Sequence, residues 1–220
     1  MDILQLLISG IANGCIYGLL ALGFVLIYKA SEAVNFAQGD MLMLGAFLGI
    51  AFINTDEANL PFLLGITLAS IIMGAFGYLL DRFVLRGIFG QPQFAMVILT
   101  ISLGFLIRFG AGVVWGHNPV SLQTPFSGKM LALGSLSITY VDLIIIVSTI
   151  ALTSILYFFF AHTRLGIAMQ ASSQNQMAAY YMGIPVKRIN GLVWALSGVV
   201  APLAGILFAA TVAISPTIGL

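Results

Sequence analysis

Between Ile3 and Tyr28 the chain runs for 26 residues without a charged side chain. A helix needs about 20 apolar residues to cross a bilayer, so this run is long enough to span. It is also too long for the apolar part of a signal peptide, and neither a basic segment nor a small-residue cleavage site accompanies it. Comparable runs follow at Leu60 to Leu80, Phe94 to Trp115, Tyr140 to Ala161 and Ile189 to Ile214, with a fragment of 13 residues at Met41 to Ile53. With 60% hydrophobic and 7% charged residues and a mean hydropathy of +1.10, the chain lies outside the range of soluble domains. Its net charge of +1 and lack of a basic cluster exclude a nucleic-acid footprint and recruitment by anionic lipid surfaces. Membrane lipid is its solvent. The lone Cys15 sits inside the first run, reads as a small packing residue and allows no internal disulfide.

Cytoplasmic loops carry the excess of Lys and Arg. With the N-terminus outside, Lys29, Arg82, Arg86, Arg164, Lys187 and Arg188 fall on the inner side, Lys129 falls on the outer side, and Arg108 lies within a span. This arrangement requires Met41 to Ile53 to cross as well, giving six crossings. Thirteen helical residues reach only about 20 Å of a roughly 30 Å hydrocarbon core. The polar step before them, "NFAQGD", must then enter the membrane, placing Asn35, Gln38, Gly39 and Asp40 at membrane depth. Irregular polar backbone survives there only where protein or a water-filled route shelters it, and such broken spans point to a transport pathway. The competing reading is an ordinary loop beside a short span in a thinned bilayer. The expected fold is therefore all-α: a polytopic membrane protein of about six transmembrane helices, one of them discontinuous near 31–53, in a single domain over 1–220.

Gly10, Gly14 and Gly18 recur every four residues in the first span, and Gly191, Gly198 and Gly205 every seven in the last. Both stripes are expected to seat neighbouring helices, and Pro202 to bend the last one. Arg108 is the one cation deep in a span. By helical rise it lies roughly 21 Å from the inner end of its helix and Asp40 only about 9 Å in, so the heights disagree and Arg108 is expected to snorkel toward the outer headgroups rather than pair with Asp40. Trp115 and Tyr140 fall where an outer aromatic belt would be.

The longest inner connection, Thr163 to Arg188, reads as two short helices. Ser173 and Gln176 have capping-box spacing, and Gly183 before Pro185 supplies a stop. Met177, Tyr181 and Ile184 form an apolar stripe that suits either a soluble partner or the membrane interface. No phosphate-binding loop and no metal-ligand cluster is present. His117 and His162 stand apart, and the adjacent acids Asp56 and Glu57 fall in an outer turn. No nucleophile and base can be placed together, so an enzyme is not indicated. A pore, a carrier or a scaffold remains.

Three stretches together resemble the branched-chain amino acid type of ABC transporter permease: "GIANGCIYGLLALGFVLIYKASEAVNFAQGDMLMLGAF", "TISLGFLIRFGAGVVWG" and "TRLGIAMQASSQNQMAAYYMGIPVKRINGLVWALSGVVAPLAGIL". Asn35, Ala37 and Gly39 stand on the family's Asn-x-Ala-x-Gly signature, and Arg108 on its membrane arginine. The resemblance implies that 163–187 is a cytoplasmic coupling loop, with Arg164, Gly166, Met177, Ala178, Ala179, Tyr181, Gly183 and Ile184 facing an ATPase. It also implies a second permease subunit, two ATP-binding subunits that hold ATP and magnesium, an extracytoplasmic solute-binding protein, and an inner-membrane location. This chain itself is expected to bind no cofactor. Relatives of the same type import urea, amides and other small solutes, and an ATP-independent secondary carrier is the alternative from another class. The sequence departs from the family at Ile167 and Gln170, where relatives usually carry Arg, and at Met177, where many importers carry Glu, so docking is expected to rest on shape and apolar contact. Ending at "SPTIGL", the chain is shorter than the family pattern, which suggests a C-terminally truncated permease domain.

Overall fold

The computed structural model describes residues 3–31, 34–54, 60–88, 91–133 and 136–216. Eight α-helices are present among the described residues: α1 (Ile3–Ser31), α2 (Gln38–Ile53), α3 (Phe62–Phe83), α4 (Gln93–Trp115), α5 (Tyr140–His162), α6 (Arg164–Gln174), α7 (Gln176–Tyr181) and α8 (Val186–Ala209). Five of them are long and apolar enough to cross a membrane, while α2, with 16 residues, is shorter. Lipid offers the backbone no hydrogen-bond partners, so helices that satisfy themselves internally are what such runs can form. Pro61, Pro92 and Pro185 directly precede α3, α4 and α8. At each start proline fixes φ where the chain turns into helix and brings no N–H to leave unsatisfied.

The pivot of the bundle is α8, which packs against α1, α2 and α3. Glycines allow the closest of these approaches. A Cβ on Gly198 would strike the carbonyl of Met73, one on Gly77 the carbonyl of Trp194, and one on Gly205 the carbonyl of Leu42. Gly191 lies against Tyr78, and Gly45 against Pro202. The stripe expected to seat neighbours in α8 thus lies on α3 and α2. The stripe in α1 differs from expectation: a Cβ at Gly10, Gly14 or Gly18 would meet nothing within 4 Å. The opposite face of α1, with Ala12, Ile16 and Leu19, packs instead against α5 and α8 around Val141, Ile145 and Ala204. Branched side chains give that face more apolar area to bury than glycines can. Cys15 packs at the edge of the same cluster.

Lys29, Arg82, Arg86, Arg164, Lys187 and Arg188 gather at one end of the bundle, together with α6 and α7. The other end carries Lys129 and a feature the hydropathy pattern does not announce, an antiparallel hairpin of β1 (Met130–Leu133) and β2 (Leu136–Thr139). Val120 and Ile214 exchange backbone hydrogen bonds of 2.8 and 2.7 Å, tying the loop after α4 to the segment after α8. The last span therefore ends at Ala209, not at Ile214. Trp115 ends α4 at this end, half-buried, with its ring stacked on Phe47 at 5.5 Å against the edge of the core. Asp56 and Glu57, and the terminal residues 217–220, lie outside the described residues.

Candidate functional site: the polar joint before α2

The break between α1 and α2 is sealed inside the bundle. Asn35 is 1% exposed, Gln38 1%, Asp40 3% and Ala37 0%, whereas Val34 and Phe36 point outward. Asn35 organises the turn. Its Oδ1 accepts from the backbone N–H of Ala37 (3.0 Å), and its amide donates to Gln38 Oε1 (3.3 Å) and reaches Met41 Sδ (3.7 Å). A side chain that caps its own backbone two residues on replaces the helical bonds lost at the break. The N–H of Phe36 donates to Thr100 Oγ1 on α4 (3.3 Å). Gly39 is half-buried.

Two further ties hold the joint. The hydroxyl of Ser197 on α8 donates to Gln38 Oε1 (2.9 Å) or to the Gly23 carbonyl (3.2 Å), and Gly23 leaves room for Gln38 that a Cβ would fill. Only glycine lets that amide reach between α1 and α8. On the other side, Arg108 donates to Asp40 Oδ1 through Nε (3.1 Å) and a terminal nitrogen (2.8 Å), and its guanidinium lies 5.5 Å from the centre of the Phe105 ring. The side chains of Arg108 and Asp40 are 17% and 4% exposed.

This pair corrects the expectation that Arg108 snorkels outward. A uniform helical rise from Val34 places Asp40 too near the surface, because α2 begins only at Gln38 and non-helical backbone covers up to about 3.3 Å per residue. Asp40 in fact packs beside Gly104, one turn before Arg108. Helical side chains lean toward the N-terminus of their helix, and a long Arg readily covers the roughly 5.4 Å of that turn. At this depth a charge-assisted pair is also the cheaper way to hold two ions out of water.

At the basic end, α6 begins under a Thr163 cap whose Oγ1 accepts from the N–H of Gly166 (2.9 Å). The expected capping box at Ser173 is displaced. α6 continues through Gln174, Ser173 donates back to the Gln170 carbonyl, and Asn175 caps α7 by accepting from the N–H of Ala178 (2.9 Å). Gly183, at φ +83°, ends the element as expected. Arg164 and Ala178 are exposed, Gly166 and Ala179 buried, and Ile184 half-buried against the core. Met177, Tyr180, Tyr181 and Met182 are 68%, 66%, 79% and 83% exposed. Tyr180 and Met182 extend the surface beyond the expected stripe, because a helix of six residues is too short to hide a second face.

A short helix entered through a buried polar turn, set within a bundle of long apolar helices, fits a multi-pass membrane permease. The chain belongs to the family described as the permease component of branched-chain amino acid transport systems, whose profile matches residues 6–220. It is 26% identical over 214 residues to the high-affinity branched-chain amino acid transport system permease protein LivH of Salmonella typhimurium, covering 93% of this chain and 70% of that protein. BraD of Pseudomonas aeruginosa, described likewise, is 24% identical with the same coverage. A probable LivH of Methanocaldococcus jannaschii is 28% identical over 199 residues, covering 85% of this chain and 60% of the relative. No solved structure matches the chain.

Proposed function

We propose that this chain is a permease subunit of an ATP-driven importer that carries branched-chain amino acids across the inner membrane, with the basic end cytoplasmic and the N-terminus outside. The observation that carries the ATP-driven reading is the knob at α7. Four large side chains stand 66–83% exposed on a short, capped element at the end rich in Lys and Arg. Exposed apolar surface of this kind marks a docking site, and a helix lodged in a groove of an ATP-binding subunit is the contact it suits. Met177, Ala178, Tyr181 and Gly183 offer that interface, with Arg164 at the head of α6, while the buried Ala179 and Gly166 and the half-buried Ile184 seat the knob on the bundle. ATP and magnesium reside in two such subunits, and a second permease and an external binding protein complete the system.

Closure of the ATPases moves α6 and α7, and α8, joined to them through Pro185, carries the motion to Ser197 and so to the joint at Asn35, Gln38, Gly39 and Asp40. Amide dipoles and a neutralised ion pair suit a zwitterion, which a lone fixed charge would trap. The test is uptake of leucine into proteoliposomes holding the assembled complex. Uptake that needs ATP and persists when the proton gradient is collapsed supports the importer. Uptake that follows the gradient with ATP constant would instead make it a secondary carrier, and uptake of urea or amides but not leucine would change the substrate.

A further inference from the structure

Among the described residues Ser70 and Ser172 each bury one unpaired hydroxyl, but Asn190 on α8 is the buried side chain with both polar atoms unpaired. Asn190 is 1% exposed, and neither its Oδ1 nor its Nδ2 has a hydrogen-bond partner. Asp81, 0% exposed, lies against the next residue, Gly191, and its Oδ1 is likewise unpartnered. Its Oδ2 accepts from Arg86 Nε (3.0 Å), and Arg86 also donates to the carbonyl of Lys187 in the first turn of α8 (3.1 Å). Asp81 and Arg86 occupy the basic end of the α3–α8 seam, and Asn190 lies beside it, one residue round α8 from Gly191. Further along, the same seam is closed backbone to backbone by Gly77 and Gly198.

Buried amides and carboxylates without partners are rare, because water lost on burial is not replaced. They are regained as soon as water or a polar solute enters. The seam is closed by apolar and glycine contacts over most of its length, but at its basic end it is bridged by Arg86, whose part-exposed side chain can exchange its bonds to Asp81 and the Lys187 carbonyl for water, so that end parts most readily. Asn190 is also two helical turns from Ser197, on the same face of α8 that meets Gln38, about 10 Å nearer the basic end. It therefore continues the polar line that begins at the joint. An amide offers a donor to a carboxylate and an acceptor to an ammonium, the two ends of an amino acid.

Building on the import reading, we propose that the basic end of the α3–α8 seam is the inner gate of the solute route and that Asn190 contacts the passing amino acid there. Motion of α6 and α7 shifts the start of α8, parts the seam and exposes Asn190.

The assembled complex in proteoliposomes tests this with Asn190→Leu, which keeps the volume and removes the unpaired atoms. A merely structural amide predicts unchanged uptake per folded complex. A solute contact predicts an unchanged or raised thermal midpoint, retained basal ATP hydrolysis and leucine uptake lower by roughly tenfold. Normal uptake in this variant would overturn the assignment. Asn190→Cys on a Cys15→Ser background supplies a second measurement that does not need the leucine variant to fold. A water-soluble methanethiosulfonate should modify it during ATP turnover, more slowly when leucine is saturating, and resistance to the reagent throughout turnover would also overturn it. If the unsubstituted complex imports leucine and Asn190→Leu does too, the gate fails alone. A complex that imports nothing under ATP would instead remove the import reading beneath it.

Discussion

Asp40 and Arg108 are bound to each other more tightly than to anything else in the bundle, and single and paired substitutions should therefore behave very differently. Asp40→Ala leaves a guanidinium stranded at membrane depth, and breaking such a pair costs about 3–5 kcal/mol. Its thermal midpoint in detergent should drop sharply. Replacing both partners by apolar residues of similar size, Asp40→Leu with Arg108→Met, should recover most of that loss. If transport uses the pair as proposed, the double variant will be stable and still inactive in uptake, which separates the two roles. Gly23 makes a companion case. Gly23→Ala would drive a methyl into Gln38 and uncouple it from Ser197, so a loss of about 1–3 kcal/mol is expected in the same assay.

At the scale of elements, the two glycine stripes look alike in sequence and part company in space. Gly198→Ala should force α3 and α8 apart and lower the thermal midpoint, because the added carbon meets the Met73 carbonyl. Gly14→Ala, with open space around it, should leave the midpoint unchanged or raise it by the roughly 0.5–1 kcal/mol that alanine gains over glycine inside a helix. Equal losses at both positions would contradict the packing described. The α7 cap is a third case. Asn175→Ala removes the bond to the Ala178 N–H, worth about 1 kcal/mol, and a helix of six residues has little else to hold it. Amide exchange at Ala178 and Ala179 should accelerate while that of α8 stays slow.

For the whole molecule, the knob and the joint lie on different elements, joined by α8 and also by α1, which meets α6 and carries Gly23 at the joint. Tyr181→Asp at an exposed position should leave the fold intact, weaken association with the ATP-binding subunits and abolish ATP-dependent uptake; intact association measured by co-purification would move the docking surface elsewhere. The number of the long helices and the approximate bounds of all but the last were legible in the sequence because hydrophobicity is a property of each segment by itself, and the cost of exposing a backbone to lipid leaves a 20-residue apolar run one choice of structure. The same holds for the buried polar joint, which follows from counting residues against bilayer thickness, and for the stop at Gly183. What the segments cannot state is which face of each helix meets which neighbour. The Asp40–Arg108 pair, the open face of α1, the stacking of Trp115 on Phe47, and the unpartnered amide of Asn190 all depend on relative depth and rotation. Those are fixed only when side chains from several helices compete for the same space, so tertiary packing alone decided them.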